Sequence, residues 1–230
     1  MPFMYYGYGF VLIGFLIALL AQWNVQSTYS KYKKVQNARG LTGAMAARQI
    51  LDQNGLYHVR IEPISGELTD HFDPRTNVVR LSDSVYNSSS VAAVGVAAHE
   101  VGHAIQYAQD YAPMRLRAAI IPATQIGSTL SYPLVLLGLF FGATPLMDLG
   151  ILLFSLVVLF QLVTLPVEFN ASRRALAAIE QNGILTDEER TGARKTLTAA
   201  ALTYVAATAV SLAQLLRLLT IFGGRRSNRD

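Results

Sequence analysis

Four long apolar runs constrain this chain more than any other feature in it. Tyr8 to Trp23, Ala118 to Phe141, Leu149 to Leu165 and Leu197 to Phe222 are nearly free of charged side chains. As helices with their flanking residues, they are long enough to cross about 30 Å of hydrocarbon. Without water, a backbone satisfies its own polar groups only as a helix or a closed barrel, so each run predicts a helix. The first reads as an anchor. The second and third, separated by a short segment with Pro145 and Asp148, read as a hairpin of two spans. The last is rich in alanine and threonine and carries Gln214 and Arg217; it is read as a fourth span, or else as a helix packed on the other three. A cleaved signal peptide would need a basic stretch before the first run and a small-x-small site after it, and neither stands out.

The expected fold is therefore a mainly α membrane protein with three to four transmembrane helices and a small α+β region. The boundaries follow from the runs: an anchor over 1–23, a polar region over 24–117, the membrane hairpin over 118–166, a polar helix over 167–196, and the last long helix with a basic tail over 197–230. With 52% apolar and 15% charged residues, the chain has far too much apolar surface to stay disordered. Its net charge of +4 comes from basic residues beside the apolar runs, where membrane topology and lipid headgroups account for them without nucleic acid. The sequence has no cysteine, which removes disulfides, thiolate metal sites and cysteine nucleophiles together.

Only the polar region between the first two runs is large enough for a folded site. Gly40 to Asn54 is predicted helical, with Thr42 as N-cap and Gly55 as the stop. Tyr57 to Ile64 and Thr76 to Ser82 are rich in valine and isoleucine and flank a turn-prone stretch, which predicts a β-hairpin between them. Ser88, Ser89 and Ser90 offer N-caps to a helix running to about Asp110. Farther on, Gly183 ends a helix, and Thr186 with Glu189 forms a capping box that opens the final one.

The helix after Ser90 reads HEVGH, with His99, Glu100 and His103. Four residues advance an α-helix by about 400°, so the two imidazoles project from one face one turn apart and can grip a single ion. Glu100 lies about 100° round from His99, beside such an ion, where a carboxylate can take a proton from water and pass it to a leaving amine. With four histidines and seven glutamates in the chain, chance gives this pattern in roughly one such chain in five hundred. Zinc, one ion per chain, is the expected cofactor.

Zinc usually takes three protein ligands plus water, so a third ligand is needed. Glu168, in LPVEFNASRRAL, stands just past the third apolar run at an expected helix start after Pro166, and a two-span hairpin returns the chain to the side it left. A helix-terminal acid that merely offsets the macrodipole would look the same. Asp148 is the rival, and would make this an intramembrane protease. The polar Gln106, Gln109 and Asp110 after the motif weigh against that, but the residues alone leave both open. His71, between Asp70 and Asp73, either steadies an oxyanion or caps a turn, and His58 reads as a surface or core residue. Arg173 and Arg174 could orient a carboxylate, although arginines beside a membrane are usually topological.

These stretches together resemble the YugP-like family of prokaryotic membrane zinc metallopeptidases. The resemblance is carried by GLTGA at Gly40 to Ala44, GELTDHFDPR at Gly66 to Arg75, VAAVGVAAHEVGHAIQ at Val91 to Gln106 and LPVEFNASRRAL at Leu165 to Leu176, and it spans most of the chain. It implies a membrane-bound peptidase with His99 and His103 as zinc ligands and Glu100 as the catalytic carboxylate. The plan is similar to gluzincins, which favours Glu168 as third ligand. Two positions depart from the pattern: Asn170 stands where an aspartate is expected, and Ser172 stands four residues after Glu168, where related membrane enzymes often carry one. Ser172 can support the site by hydrogen bonding without adding charge.

The reading that follows is a zinc endopeptidase acting on membrane-associated or misfolded polypeptides, with the strand around Val78 to Leu81 able to pair with an extended substrate. A non-catalytic membrane scaffold braced by zinc is the rival from another class, and it leaves Glu100 without a task. With the N-terminus outside, Lys31, Lys33, Lys34, Arg39, Arg115, Arg117, Arg173, Arg174, Arg190, Arg194 and Lys195 all fall on the cytoplasmic side, against Arg225, Arg226 and Arg229 on the other. The excess predicts a cytoplasmic site.

Overall fold

The computed structural model describes residues 2–223; Arg225, Arg226 and Arg229 of the basic tail lie outside them. The described chain is mostly helical. The order is α1 (Pro2–Tyr32), α2 (Gly43–Gln53), β1 (Arg60–Ile64), β2 (His71–Asp73), β3 (Val78–Ser82), α3 (Asp83–Tyr86), α4 (Val91–Ala108), α5 (Ala112–Phe141), α6 (Thr144–Gln181) and α7 (Asp187–Gly223). Helices α1, α5, α6 and α7 are long and apolar enough to cross a membrane, so the chain is a mainly α membrane protein with a small sheet. Among the described residues it divides into two compact units: the stretch up to Gln22, Leu116–Leu165 and the stretch from Thr203 form one, and Trp23–Arg115 and Pro166–Leu202 form the other.

In the first unit, α5 and α6 approach closely through glycines, as helices do where lipid gives no hydrophobic drive to associate. A Cβ on Gly127 would lie 2.7 Å from the Leu153 carbonyl oxygen, and one on Gly150 would lie 2.7 Å from that of Ser131. Leucines such as Leu136, Leu152 and Leu216 remain exposed, as lipid-facing side chains must. Across the bundle, the Tyr132 hydroxyl donates to Gln214 at 2.6 Å.

The second unit is built around α4. All but four of its 18 residues are buried, and their small size lets other elements pack closely on several sides. Ser90 caps it, its hydroxyl accepting from the Ala93 N–H at 3.2 Å. Ile50 and Leu51 of α2, Val79 and Leu81 of β3, and Ile179 of α6 join Val94, Ala98 and Val101 in one core, each large aliphatic contributing about 1.5–3 kcal/mol by leaving water. Thr42 caps α2, and Gly55 and Gly183 adopt positive φ just past the ends of α2 and α6. The Thr186–Glu189 box forms reciprocally: each backbone N–H donates to the other's side chain, at 2.9 and 3.3 Å.

Three expectations change. First, the two strand segments do not form a hairpin with each other: β1 pairs with β3 in parallel, Arg60 opposite Val78, and β2 pairs antiparallel on the other side of β3. The stretch read as a turn hides β2, whose three residues are too short to show a period. The hairpin is β2–β3, closed where Asp73 accepts from the Arg75 N–H and the Thr76 hydroxyl. Second, β3 is the central strand, with both edges already paired, so Val78 to Leu81 is not free to receive a substrate strand. Third, α6 runs unbroken through Pro166, and Glu168 sits well inside a helix, not in a first turn. Packing on the turns either side outweighs the one hydrogen bond a proline removes.

Candidate metal centre

Helices α4 and α6 make the centre within the second unit. They meet at Gly102, where a Cβ would stand 2.6 Å from the Ala171 carbonyl oxygen. Only glycine fits that contact, and the closeness brings the turn carrying His99 and His103 against the turn carrying Glu168. Glu168 Oε2 lies 3.2 Å from His99 Nε2 and 3.6 Å from His103 Nε2. One donor atom from each of the three residues falls within 4.8 Å of the others.

These donors fit zinc. A tetrahedral ion holding nitrogen and carboxylate oxygen at 2.0–2.1 Å separates its donors by about 3.4 Å, close to both spacings. The ring nitrogens not facing Glu168 are also occupied. His103 Nδ1 lies 2.9 Å from Gln106 Oε1, and His99 Nδ1 lies 3.1 Å from Ser172 Oγ. A neutral imidazole that donates from Nδ1 keeps the Nε2 lone pair for a metal. Charge points the same way. Burial opposes an imidazolium at His103, yet its pKa is raised, because the Glu168 carboxylate and the Glu100 charge outweigh that penalty. With both imidazoles neutral, as metal ligands are, the two carboxylates leave a negative charge that a cation would offset.

Glu100 is buried, and among the described residues no hydrogen bond engages its carboxylate. It is thus a base on a largely buried side chain with its lone pairs uncommitted. The other sequence candidates separate clearly. Asp148 is exposed and belongs to the other unit, so the acid beside the imidazoles is Glu168. His71 is exposed, its Nδ1 2.9 Å from the Thr69 carbonyl oxygen, and among the described residues no hydrogen bond or ion pair joins it to the cluster. Its neighbour Asp70 does the structural work in that loop, accepting from the Ser82 N–H at 2.7 Å and from the Ser82 hydroxyl; burial raises its pKa despite those bonds. His58 is exposed.

Arg173 is exposed and has no bond to the cluster. One residue on, Arg174 is the arginine that joins in: its Nε donates to Asn170 Oδ1 at 2.7 Å and its Nη1 to Gln109 Oε1 at 2.6 Å. The helical step of 100° divides the pair between solvent and site. Gln106 was missed by the sequence reading, which counted it only as a polar residue after the motif. Its place three residues after His103, on the same helical face, was the available signal.

A family model described as "Putative neutral zinc metallopeptidase" matches residues 8–223. A protein of Bacillus subtilis (strain 168), named "Putative membrane protease YugP", is 50% identical over 213 residues, covering 92% of this chain and 95% of that protein. No solved structure matches the chain. A match of that extent, reaching from the first apolar helix into the last, establishes that the chain belongs to the YugP-like zinc metallopeptidase family.

Proposed function

We propose that the chain is a membrane-bound zinc endopeptidase in which His99, His103 and Glu168 hold one zinc ion and Glu100 moves the proton. The observation that carries this reading is the convergence of three donors within 4.8 Å of one another, with Glu168 Oε2 at 3.2 and 3.6 Å from the two imidazole nitrogens, beside a largely buried carboxylate with no hydrogen-bond partner among the described residues. Bound there, zinc supplies Lewis acidity toward a peptide carbonyl and toward water. The chain's own residues do the rest. Glu100 takes the proton of the attacking water and returns it to the leaving amine. Ser172 and Gln106 hold the two imidazoles in the tautomer that leaves Nε2 bare. The four apolar helices confine the site near a bilayer, which favours membrane-associated or misfolded polypeptides as substrates.

The excess of basic residues on one side of the spans supports a cytoplasmic site. Protease accessibility of the His99 region in inverted vesicles, and not in right-side-out ones, is the expected result. For the chemistry, Glu100→Gln should keep zinc and lose peptide cleavage by at least 100-fold, and His99→Ala should lose both. Cleavage retained in Glu100→Gln removes the base assignment. Zinc bound by a parent protein that cleaves no peptide would instead favour a scaffold braced by metal.

A further inference from the structure

Gln106 lies on α4 one turn beyond His103. It is fully buried, and each of its polar atoms has a partner. Oε1 lies 2.9 Å from His103 Nδ1, and Nε2 donates to the Val167 carbonyl oxygen at 2.8 Å and to Asn170 Oδ1 at 3.0 Å. An amide is the one side-chain type that can accept from an imidazole N–H on one helix and donate to two oxygens on another. A carboxylate would lack the donors and a lysine the acceptor. The Asn170 oxygen that receives Gln106 also receives the Arg174 Nε, and Arg174 reaches Gln109 and lies over the Tyr111 ring, 5.9 Å from its centroid.

We propose that Gln106 is a positioning residue for the metal: it fixes the tautomer and ring plane of His103 and ties that ring to the turn of α6 bearing Glu168. Val167 immediately precedes Glu168, and Asn170 lies two residues beyond it. The amide therefore clamps the backbone on one side of the acid and a side chain on the other. The two donors are set relative to each other through Gln106, and not only through the ion. The neutral amide also keeps the cluster's charge at that of its own carboxylates. Asn170 extends this, because an aspartate there would add a half-buried negative charge 3.0 Å from the amide. The proposal rests on the zinc reading above and adds a residue to it.

Zinc affinity measured by chelator competition, together with the visible absorption of the cobalt-substituted protein, tests it without any substrate. If the parent binds no zinc, the reading of the centre itself fails. Given a parent that binds, Gln106→Leu, close in volume and unable to hydrogen-bond, should weaken zinc by 10- to 100-fold and shift the cobalt bands. A purely structural role would instead lower the amount of folded protein while leaving the bands of the filled sites where they were. Zinc affinity within twofold of the parent and unshifted bands in Gln106→Leu would overturn the proposal. If that variant does not fold, Asn170→Ala decides: it removes one anchor and leaves the His103 contact, and should weaken zinc by several-fold. Unchanged affinity there overturns the proposal equally.

Discussion

A Cβ added to Gly102 would meet the Ala171 carbonyl oxygen at 2.6 Å, whereas one added to Gly95, two turns earlier on the same helix, would meet nothing closer than the Ala193 side chain at 3.4 Å. The first contact is backbone on backbone and cannot yield by a rotamer change. The second is ordinary packing. The same substitution should therefore have opposite effects at the two sites. Gly102→Ala is expected to cost about 1–3 kcal/mol by forcing α4 from α6 and to weaken zinc binding. Gly95→Ala should be neutral or stabilising by up to about 1 kcal/mol, since alanine is the better helix former. Thermal unfolding in detergent and zinc content of the two variants check this.

The identity of the acid can be decided by metal analysis. Glu168→Ala should purify with little zinc, because its Oε2 stands within 3.6 Å of both imidazoles. Asp148→Ala should retain the metal. Zinc lost in the Asp148 variant and kept in the Glu168 variant would reassign the ligand.

Ser172 Oγ is 3.1 Å from His99 Nδ1. Removing it in Ser172→Ala should weaken zinc by about tenfold, the lower end of the range for such supporting contacts. Ser172→Asp, which offers the imidazole N–H a charged acceptor, should bind zinc at least as tightly as the parent. An aspartate variant no better than the alanine variant would mean that His99 is not oriented through this contact.

The β2–β3 turn carries its own pH dependence. The Thr76 hydroxyl, the Arg75 N–H and the Arg80 guanidinium hold the Asp73 pKa down to about 2, against an ordinary 3.8. Folding lowers the pKa, so the stabilisation is present above the ordinary value and is lost as pH falls through about 2. Asp73→Asn should cost about 1 kcal/mol at pH 6, and the gap between variant and parent should close between pH 4 and pH 2. Thermal unfolding followed by circular dichroism at several pH values reads this directly; a gap independent of pH would mean the carboxylate's charge is immaterial.

The four long helices were legible in the sequence because hydrocarbon leaves an apolar run only one open-chain conformation. HEVGH was legible because the helical period alone puts His99 and His103 on one face. The caps at Thr42, Ser90 and Thr186 were equally readable, since each depends on residues three apart. Strand pairing was not. Whether β1 meets β3 parallel or antiparallel depends on the path of the chain between them, which three residues of β2 do not announce. The continuity of α6 through Pro166 was also hidden, because local propensity argues for a break and tertiary packing overrides it.

What the sequence determined by itself is therefore whatever neighbours along one helix decide: the spans, the caps, and the paired imidazoles with Glu100 beside them. What only the tertiary structure decided is the meeting of α4 with α6: that Glu168 and not Asp148 stands beside the histidines, that Arg174 and not Arg173 turns toward Asn170, and that Gln106 holds His103 to α6. The reason is distance along the chain. His103 and Glu168 are 65 residues apart, and no periodicity reports which side chains touch once a glycine has let two backbones close to contact.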